Sequence, residues 1–160
     1  PLNVYGQTKY EGELAVQEFL KKYFILRISW VFGINGNNFI KTMLRVGAER
    51  GEVSVVSDQI GSPTYTYDLA KIVMDMILSD AYGVYHVTND GLCSWYEFAC
   101  EIFRQAGMDV KVNPLSTGEY PAKAARPYNS RMSKEKLRKA GFCMLPDWQD
   151  ALRRYLCELG

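Results

Sequence analysis

The sequence is poor in the residues from which metal centres and proton relays are usually built. His86 is its only histidine, which excludes His-rich metal sites and multi-histidine relays. Its four cysteines, Cys93, Cys100, Cys143 and Cys157, form no C-x-x-C pair and no zinc-ligand spacing, so no metal site is expected. Cys100 and Cys157 fall in helix-like segments and read as reduced, buried thiols. There is no run of like charge and the formal net charge is +1, which leaves no electrostatic case for nucleic acid or a membrane surface as partner. No apolar stretch reaches the roughly 20 residues of a membrane helix, and no basic and apolar leader opens the chain. A reducing, cytoplasmic location is expected. The sequence also lacks an initiator methionine: Pro1-Leu2-Asn3-Val4-Tyr5-Gly6 runs directly into a helix-like segment, as the interior of a longer protein would.

What is present is an ordinary globular composition, 48% apolar and 23% charged over 160 residues, enough for about one domain with a real core. Hydrophobic spacing predicts an amphipathic helix over 7–22 and a buried strand over 24–30. Residues 34–38 form a loop by composition, with Asn38 placed to cap a helix from 39 to about 49 that stops near Gly51. A strand at 53–57, a loop at 58–66 containing Gly61 and Pro63, a helix from Asp68 through Ile77 and a strand at 83–87 follow. Ser94-Trp95-Tyr96-Glu97 has the spacing of a capping box, ahead of a helix ending near Gly107. A short strand at 110–115, an irregular stretch at 116–127 and helices at 133–140 and 147–159 complete the chain. Strands alternating with helices predict an α/β fold.

The first chemical candidate is Tyr5 with Lys9. Four residues apart on a helix, two side chains share a face with Cβ atoms roughly 5–6 Å apart. A phenol beside an ammonium gives up its proton more readily, and such a phenol can protonate the alkoxide that forms when hydride reaches a carbonyl. The spacing alone is weak, because Tyr67 and Lys71 have it too. Context separates the two pairs. Around the first, Tyr5-Gly6-Gln7-Thr8-Lys9-Tyr10-Glu11-Gly12-Glu13 resembles the Y-G-x-[ST]-K-x-x-G-E pattern of the extended short-chain dehydrogenase/reductases, the NAD(P)-dependent enzymes of nucleotide sugars. Gly6 and Gly12 suit a helix that a cofactor approaches closely.

The resemblance continues in order along the chain. Arg27-Ile28-Ser29-Trp30-Val31-Phe32-Gly33, Asn38-Phe39-Ile40-Lys41-Thr42-Met43-Leu44 and Asp58-Gln59-Ile60-Gly61-Ser62-Pro63-Thr64-Tyr65 are similar to segments of dTDP-4-dehydrorhamnose reductases. So are Gly83-Val84-Tyr85-His86, Ser94-Trp95-Tyr96-Glu97-Phe98-Ala99 and Arg126-Pro127-Tyr128-Asn129-Ser130. The resemblance implies reduction of the C4 ketone of dTDP-4-dehydro-L-rhamnose by NADPH or NADH. It assigns Tyr5 as the proton donor, Lys9 to the nicotinamide ribose and Ser29 to the nicotinamide edge. Trp30 would lie against the deoxysugar, as an aromatic face packs on C–H bonds, or would be a core residue at a strand end. Asn38, Phe39 and Lys41 would face the nucleotide, Asn38 doubling as a helix cap and Lys41 reading equally as a diphosphate partner or a solvated charge. Gln59, Gly61, Pro63 and Thr64 would shape a loop near the substrate. Arg126 would hold the diphosphate bidentately, supported by Asn129. Arg104, Arg131, Arg138, Arg153 and Arg154 read as solvated surface charges, and His86 as structural.

The pattern also has a gap. No G-x-x-G-x-x-G phosphate loop occurs in the chain, although such a turn opens the Rossmann-type fold of this family. The expectation is therefore a C-terminal part of that fold, with about the first 40% absent: residues 1–35 as a remnant of the cofactor domain and 36–160 as the substrate-binding lobe. By itself the chain is expected to be catalytically inactive, since the dinucleotide phosphates have no cradle, and to associate as a homodimer or be partly disordered near 1–35. Two alternatives stand beside the reductase. One is another nucleotide-sugar reductase, epimerase or dehydratase. The other is a non-catalytic subunit like the β subunit of methionine adenosyltransferase.

Overall fold

The computed structural model describes residues 1–120 and 126–160. The irregular stretch expected at 116–127 includes 121–125, which lie outside the described residues. In chain order the elements are α1 (Val4–Phe19), β1 (Phe24–Arg27), β2 (Val31–Phe32), α2 (Phe39–Arg50), β3 (Glu52–Val56), β4 (Ile60–Gly61), β5 (Thr64–Tyr65) and α3 (Thr66–Ile77). They continue with β6 (Gly83–His86), β7 (Cys93–Ser94), α4 (Trp95–Gln105), β8 (Lys111–Leu115), α5 (Glu135–Lys139) and α6 (Trp148–Leu159). The chain is α/β, as its alternation predicts.

Local chemistry explains most of the boundaries. The first helix starts at Val4, ahead of the expected 7, because the Asn3 side chain accepts from Gly6 N at 2.9 Å and so caps it. Asn38 caps α2 through Lys41 N at 3.0 Å, and Gly51 closes it with φ 69°, a conformation that costs glycine little. Ser94 and Glu97 form the expected capping box of α4. The strand expected over 24–30 is cut at Arg27. Trp30 has φ 48°, the only non-glycine positive φ among the described residues, and takes the chain out of the extended region. Helix α3 begins at Thr66, not at Asp68. That aspartate caps nothing; it is buried within the first turn.

Long-range pairing then assembles the layers. Strand β1 runs parallel to β6 from Phe24↔Gly83 to Arg27↔His86, and β3 runs parallel to β8 from Glu52↔Lys111 to Val56↔Leu115. Short pairs join β2 to β5 in parallel and β4 to β7 antiparallel. The loop expected over 58–66 therefore contains two strand segments. Helices α2 and α4 cover β3, burying Val53, Val55, Ala99 and Phe103. Gly47 permits the close approach of α2, since a Cβ there would lie 2.5 Å from Phe103 Cε1. A second core gathers Phe32, Ile40, Tyr65, Phe98, Leu152 and Tyr155 beneath α6, each such side chain contributing roughly 1.5–3 kcal/mol when fully buried. A third packs Ile72 and Met76 of α3 against Tyr85, Val87, Leu137 and Leu145.

Two expectations are corrected by burial. Cys157 is exposed and Cys100 only half-buried, while Cys93 is the buried thiol, pushed well above the usual thiol range by desolvation first and then by Glu97 and Asp147. Arg154 is not a solvated surface charge: its guanidinium pairs with the buried carboxylate of Asp68. Helix α1 presents the opposite case, an element with no buried residue. Among the described residues no helix is long and apolar enough to cross a membrane.

Candidate functional site

The site is built at the carboxyl end of β3, where α/β folds commonly bind ligands. A cavity of about 330 Å³ opens there, lined by Ser54, Val55 and Val56 of β3, Gln59 of the following loop, Phe39, Thr42 and Met43 of α2, Trp95 at the start of α4, and Tyr120 and Arg126. Phe39, Gln59 and Arg126 are residues the sequence nominated; Trp95 and Tyr120 are not. The lining combines flat aromatic surfaces with an amide and a guanidinium. That chemistry suits a planar polar heterocycle with an anionic group beside it.

The rim is pinned by a polar cluster. Asp58 accepts from Thr117 N at 3.0 and 2.9 Å and from Thr117 Oγ1 at 2.6 Å. Those bonds, the hydroxyl's first, hold the Asp58 carboxyl below the usual carboxylate range. Gln59, itself buried, donates to Thr117 Oγ1 at 3.1 Å. Ser57 donates twice to Leu115 O, from its amide at 2.8 Å and its hydroxyl at 3.0 Å. The segment that carries Tyr120 is thereby anchored to the loop that carries Gln59.

Trp30 meets this cavity indirectly. Its indole stacks on that of Trp95, with centroids 3.8 Å apart and planes 16° from parallel. Gly61 leaves room for it, since a Cβ there would lie 2.7 Å from Trp30 Cε2. The backbone is locked beside it: Trp30 O accepts from Thr64 N at 3.1 Å, and Ser29 Oγ donates to Ser62 O at 2.8 Å. A non-glycine residue in the left-handed region costs about 1–2 kcal/mol, and such strain is held only where neighbours over-determine it.

The side chains of Asn38, Lys41 and Asn129, which lie outside the cavity lining, have internal partners. Asn38 Nδ2 donates to Gly33 O at 3.0 Å and Tyr155 Oη at 2.8 Å while its Oδ1 caps α2. Lys41 Nζ donates to Ile34 O at 2.5 Å and Gly36 O at 3.0 Å, tying down the 34–37 loop. Asn129 is exposed and its Oδ1 accepts from Arg131 N at 3.0 Å. Thr64 is fully buried with its hydroxyl unpartnered. His86 Nδ1 lies 3.1 Å from Ser133 O. In the second Y-x-x-x-K pair, Lys71 Nζ sits 4.4 Å from the Tyr67 ring centroid, a cation–π contact and not a site.

Tyr5 lies in the first turn of α1 and is 73% exposed; Lys9 is exposed one turn further on. Beyond them, a methyl at Gly12 would meet nothing within 4 Å. This face of α1, with a phenol and an ammonium one turn apart, is open to an approaching ligand. Among the described residues no group of His, Cys, Asp or Glu is arranged to hold a metal ion.

Comparison with known proteins is consistent along the whole chain. The family model described as the RmlD substrate binding domain matches residues 1–160. A dTDP-4-dehydrorhamnose reductase of Escherichia coli K12 is 44% identical over 170 residues, an overlap that takes in 99% of this chain and 57% of that protein. The crystal structure of a dTDP-4-dehydrorhamnose reductase from Bacillus anthracis, in complex with NADP, superposes with a TM-score of 0.95 at 51% identity, over 100% of this chain and 56% of that one. A dTDP-4-dehydrorhamnose reductase orthologue from Clostridium acetobutylicum gives 0.96 at 43% identity, over 99% and 56%. The chain thus spans little more than half the length of the relatives it matches.

Proposed function

The chain belongs to the RmlD substrate binding domain family, and from that membership we propose that it forms the sugar-nucleotide-binding part, with the proton-donating helix, of a reductase acting on dTDP-4-dehydro-L-rhamnose. The observation that carries this reading is the convergence of Phe39, Gln59 and Arg126, nominated from sequence, on one cavity beside the Trp30–Trp95 stack.

In this reading Phe39, Trp95 and Tyr120 enclose the thymine and Gln59 reads its polar edge. Arg126 takes the diphosphate, whose two negative groups match the guanidinium fork. Trp30 offers its face to the deoxysugar. Outside the cavity lining, Asn38 and Lys41 brace the 33–38 loop ahead of Phe39, Thr64 N holds Trp30 O, and Asn129 accepts from Arg131 N. Residues 1–35 form the nicotinamide side of the site and 36–160 the sugar-nucleotide side. Lys9 and Ser29 hold the nicotinamide ribose and ring edge. Reduced NADP or NAD, when bound, supplies a hydride to C4 of the sugar. Tyr5 gives its proton to the C4 oxygen as negative charge develops there, and the ketone becomes an alcohol. NADP is the dinucleotide in the Bacillus anthracis relative, which supports NADPH as the reductant.

The test is to express the whole reading frame that encodes this chain and follow NAD(P)H absorbance with dTDP-4-dehydro-L-rhamnose, for wild type and Tyr5→Phe. Turnover that collapses in the variant supports both the reaction and the acid. A folded protein that binds the dinucleotide but turns over with neither cofactor refutes the reading.

A further inference from the structure

We propose that Trp95 is a positioning residue that couples filling of the cavity to the placement of the Trp30 indole. The inference rests on the sugar-nucleotide reading above and extends it to a side chain that joins the two ends of that ligand.

Trp95 belongs to both neighbourhoods. It lines the cavity with Gln59 and Arg126, and its indole is the one on which Trp30 stacks at 3.8 Å. Phe39, another lining residue, packs on it with centroids 4.6 Å apart. A planar group entering the cavity therefore meets the ring system that carries Trp30. Trp95 also stands on a rigid base, the first residue of α4, where Glu97 Oε2 accepts from Ser94 N at 2.6 Å and Ser94 Oγ accepts from Glu97 N at 3.0 Å.

Trp30 has no slack with which to absorb a movement of its partner. Its backbone is held left-handed at φ 48°, and toward Gly61 even a methyl group would come within 2.7 Å of the ring. A group packed on the cavity side of Trp95 therefore presses the stack toward Gly61 and fixes the Trp30 indole in place. The binding of the nucleotide end thereby sets the surface against which the sugar lies. Remote binding is spent on orientation at the reacting carbon, a use of binding energy that raises turnover more than affinity.

Two indoles stacked this closely give an exciton couplet in far-ultraviolet circular dichroism, which supplies a direct readout. The protein expressed from the whole reading frame is titrated with dTDP while the couplet is recorded and the heat of binding is measured in parallel. Trp95→Phe and Trp30→Phe are examined in the same way. The expected result is a couplet in wild type that both substitutions abolish, and whose amplitude shifts saturably at the calorimetric dissociation constant. Binding of dTDP with an unchanged couplet overturns the inference and leaves the sugar-nucleotide reading standing. Failure of dTDP to bind a chain whose couplet is intact removes the sugar-nucleotide reading and the inference with it. A wild-type chain without a couplet, or a couplet that survives either substitution, also overturns the inference. Should either variant fail to fold, the wild-type titration alone decides.

Discussion

Arg154 of α6 forks onto the carboxylate of Asp68 in α3, with Nη1 and Nη2 lying 2.8 and 2.7 Å from the two oxygens. The Asp68 side chain is 3% exposed and that of Arg154 28%. Asn89 Nδ2 donates to Asp68 at 2.8 Å, while its Oδ1 accepts from Tyr65 N at 2.8 Å. Asp68 first, and then Asp150, raise the Arg154 pKa above its ordinary value against the opposing effect of burial. Through Asn89 the pair therefore ties α6 and α3 to β5, whose first residue Thr64 donates its amide to Trp30 O.

Removing one member of a buried pair leaves the other charge uncompensated, at a cost of about 3–5 kcal/mol. Arg154→Ala is expected to fall near the lower end of that range because Arg154 retains some contact with water. Arg153, exposed and paired with Asp150 within one helix, is expected to cost under about 0.5 kcal/mol on the same change. Urea midpoints of the two variants check this; equal losses would show that the Asp68 pair is not a stabilising tie.

Gly47→Ala is expected to destabilise by about 1–3 kcal/mol through overpacking, since the new methyl would meet Phe103 Cε1 at 2.5 Å and Val110 Cγ2 at 3.1 Å. Gly12→Ala, in open space on α1, is expected to stabilise by about 0.5–1 kcal/mol through helix propensity. Thermal unfolding of the two variants should move in opposite directions.

Acid should loosen the rim of the cavity. Asp58 has a carboxyl held below its ordinary value of 3.8, chiefly by the Thr117 hydroxyl and amide, and Asp90 and Asp150 are lowered by Lys134 and Arg154 respectively. A carboxyl lowered in the folded state contributes stability above its unfolded pKa, and that contribution is lost as pH falls through the folded value. The unfolding midpoint is expected to be flat between about pH 5 and neutrality and to drop below about pH 5. Asp58→Asn should lower the neutral-pH plateau and shallow the acid slope; an unaltered slope would count against the Asp58–Thr117 tie.

Ligand binding should separate the two lysine and arginine candidates. Arg126→Ala is expected to weaken dTDP binding about tenfold or more, the loss of a charge-assisted contact. Lys41→Ala should change it little, because its ammonium serves the carbonyls of Ile34 and Gly36. Calorimetric titration of both variants decides the assignment, and the reverse order would move the diphosphate to α2.

Thiol labelling should follow burial. Cys143 and Cys157 are exposed and are expected to react first, Cys100 more slowly, and Cys93 only on unfolding, since burial both covers it and raises its pKa. Mass mapping of the labelled cysteines against time checks the order.

The sequence by itself determined the alternation of strands and helices, the caps at Asn38 and Ser94, and the family pattern around Tyr5 and Lys9. These are local properties: hydrophobic period, a side chain reaching three residues onward, an ordered series of short motifs. It also determined Phe39, Gln59 and Arg126 as residues to watch. Tertiary structure alone decided that those three share a cavity with Trp95 and Tyr120, whose residue types signal nothing until chain segments far apart in sequence meet. It alone decided that Arg154 is buried against Asp68, since an arginine at an i,i+4 spacing from Asp150 reads as an exposed helix pair until α3 is known to lie behind it. The end of the first strand at Arg27, ahead of a left-handed Trp30, was equally illegible. A tryptophan in a β-rich run favours continuation, and only the partners at Gly61, Thr64 and Trp95 compensate a left-handed backbone there. Local periodicity fixes which elements form, whereas the burial of charge and the convergence of side chains depend on contacts between elements that no window of sequence contains.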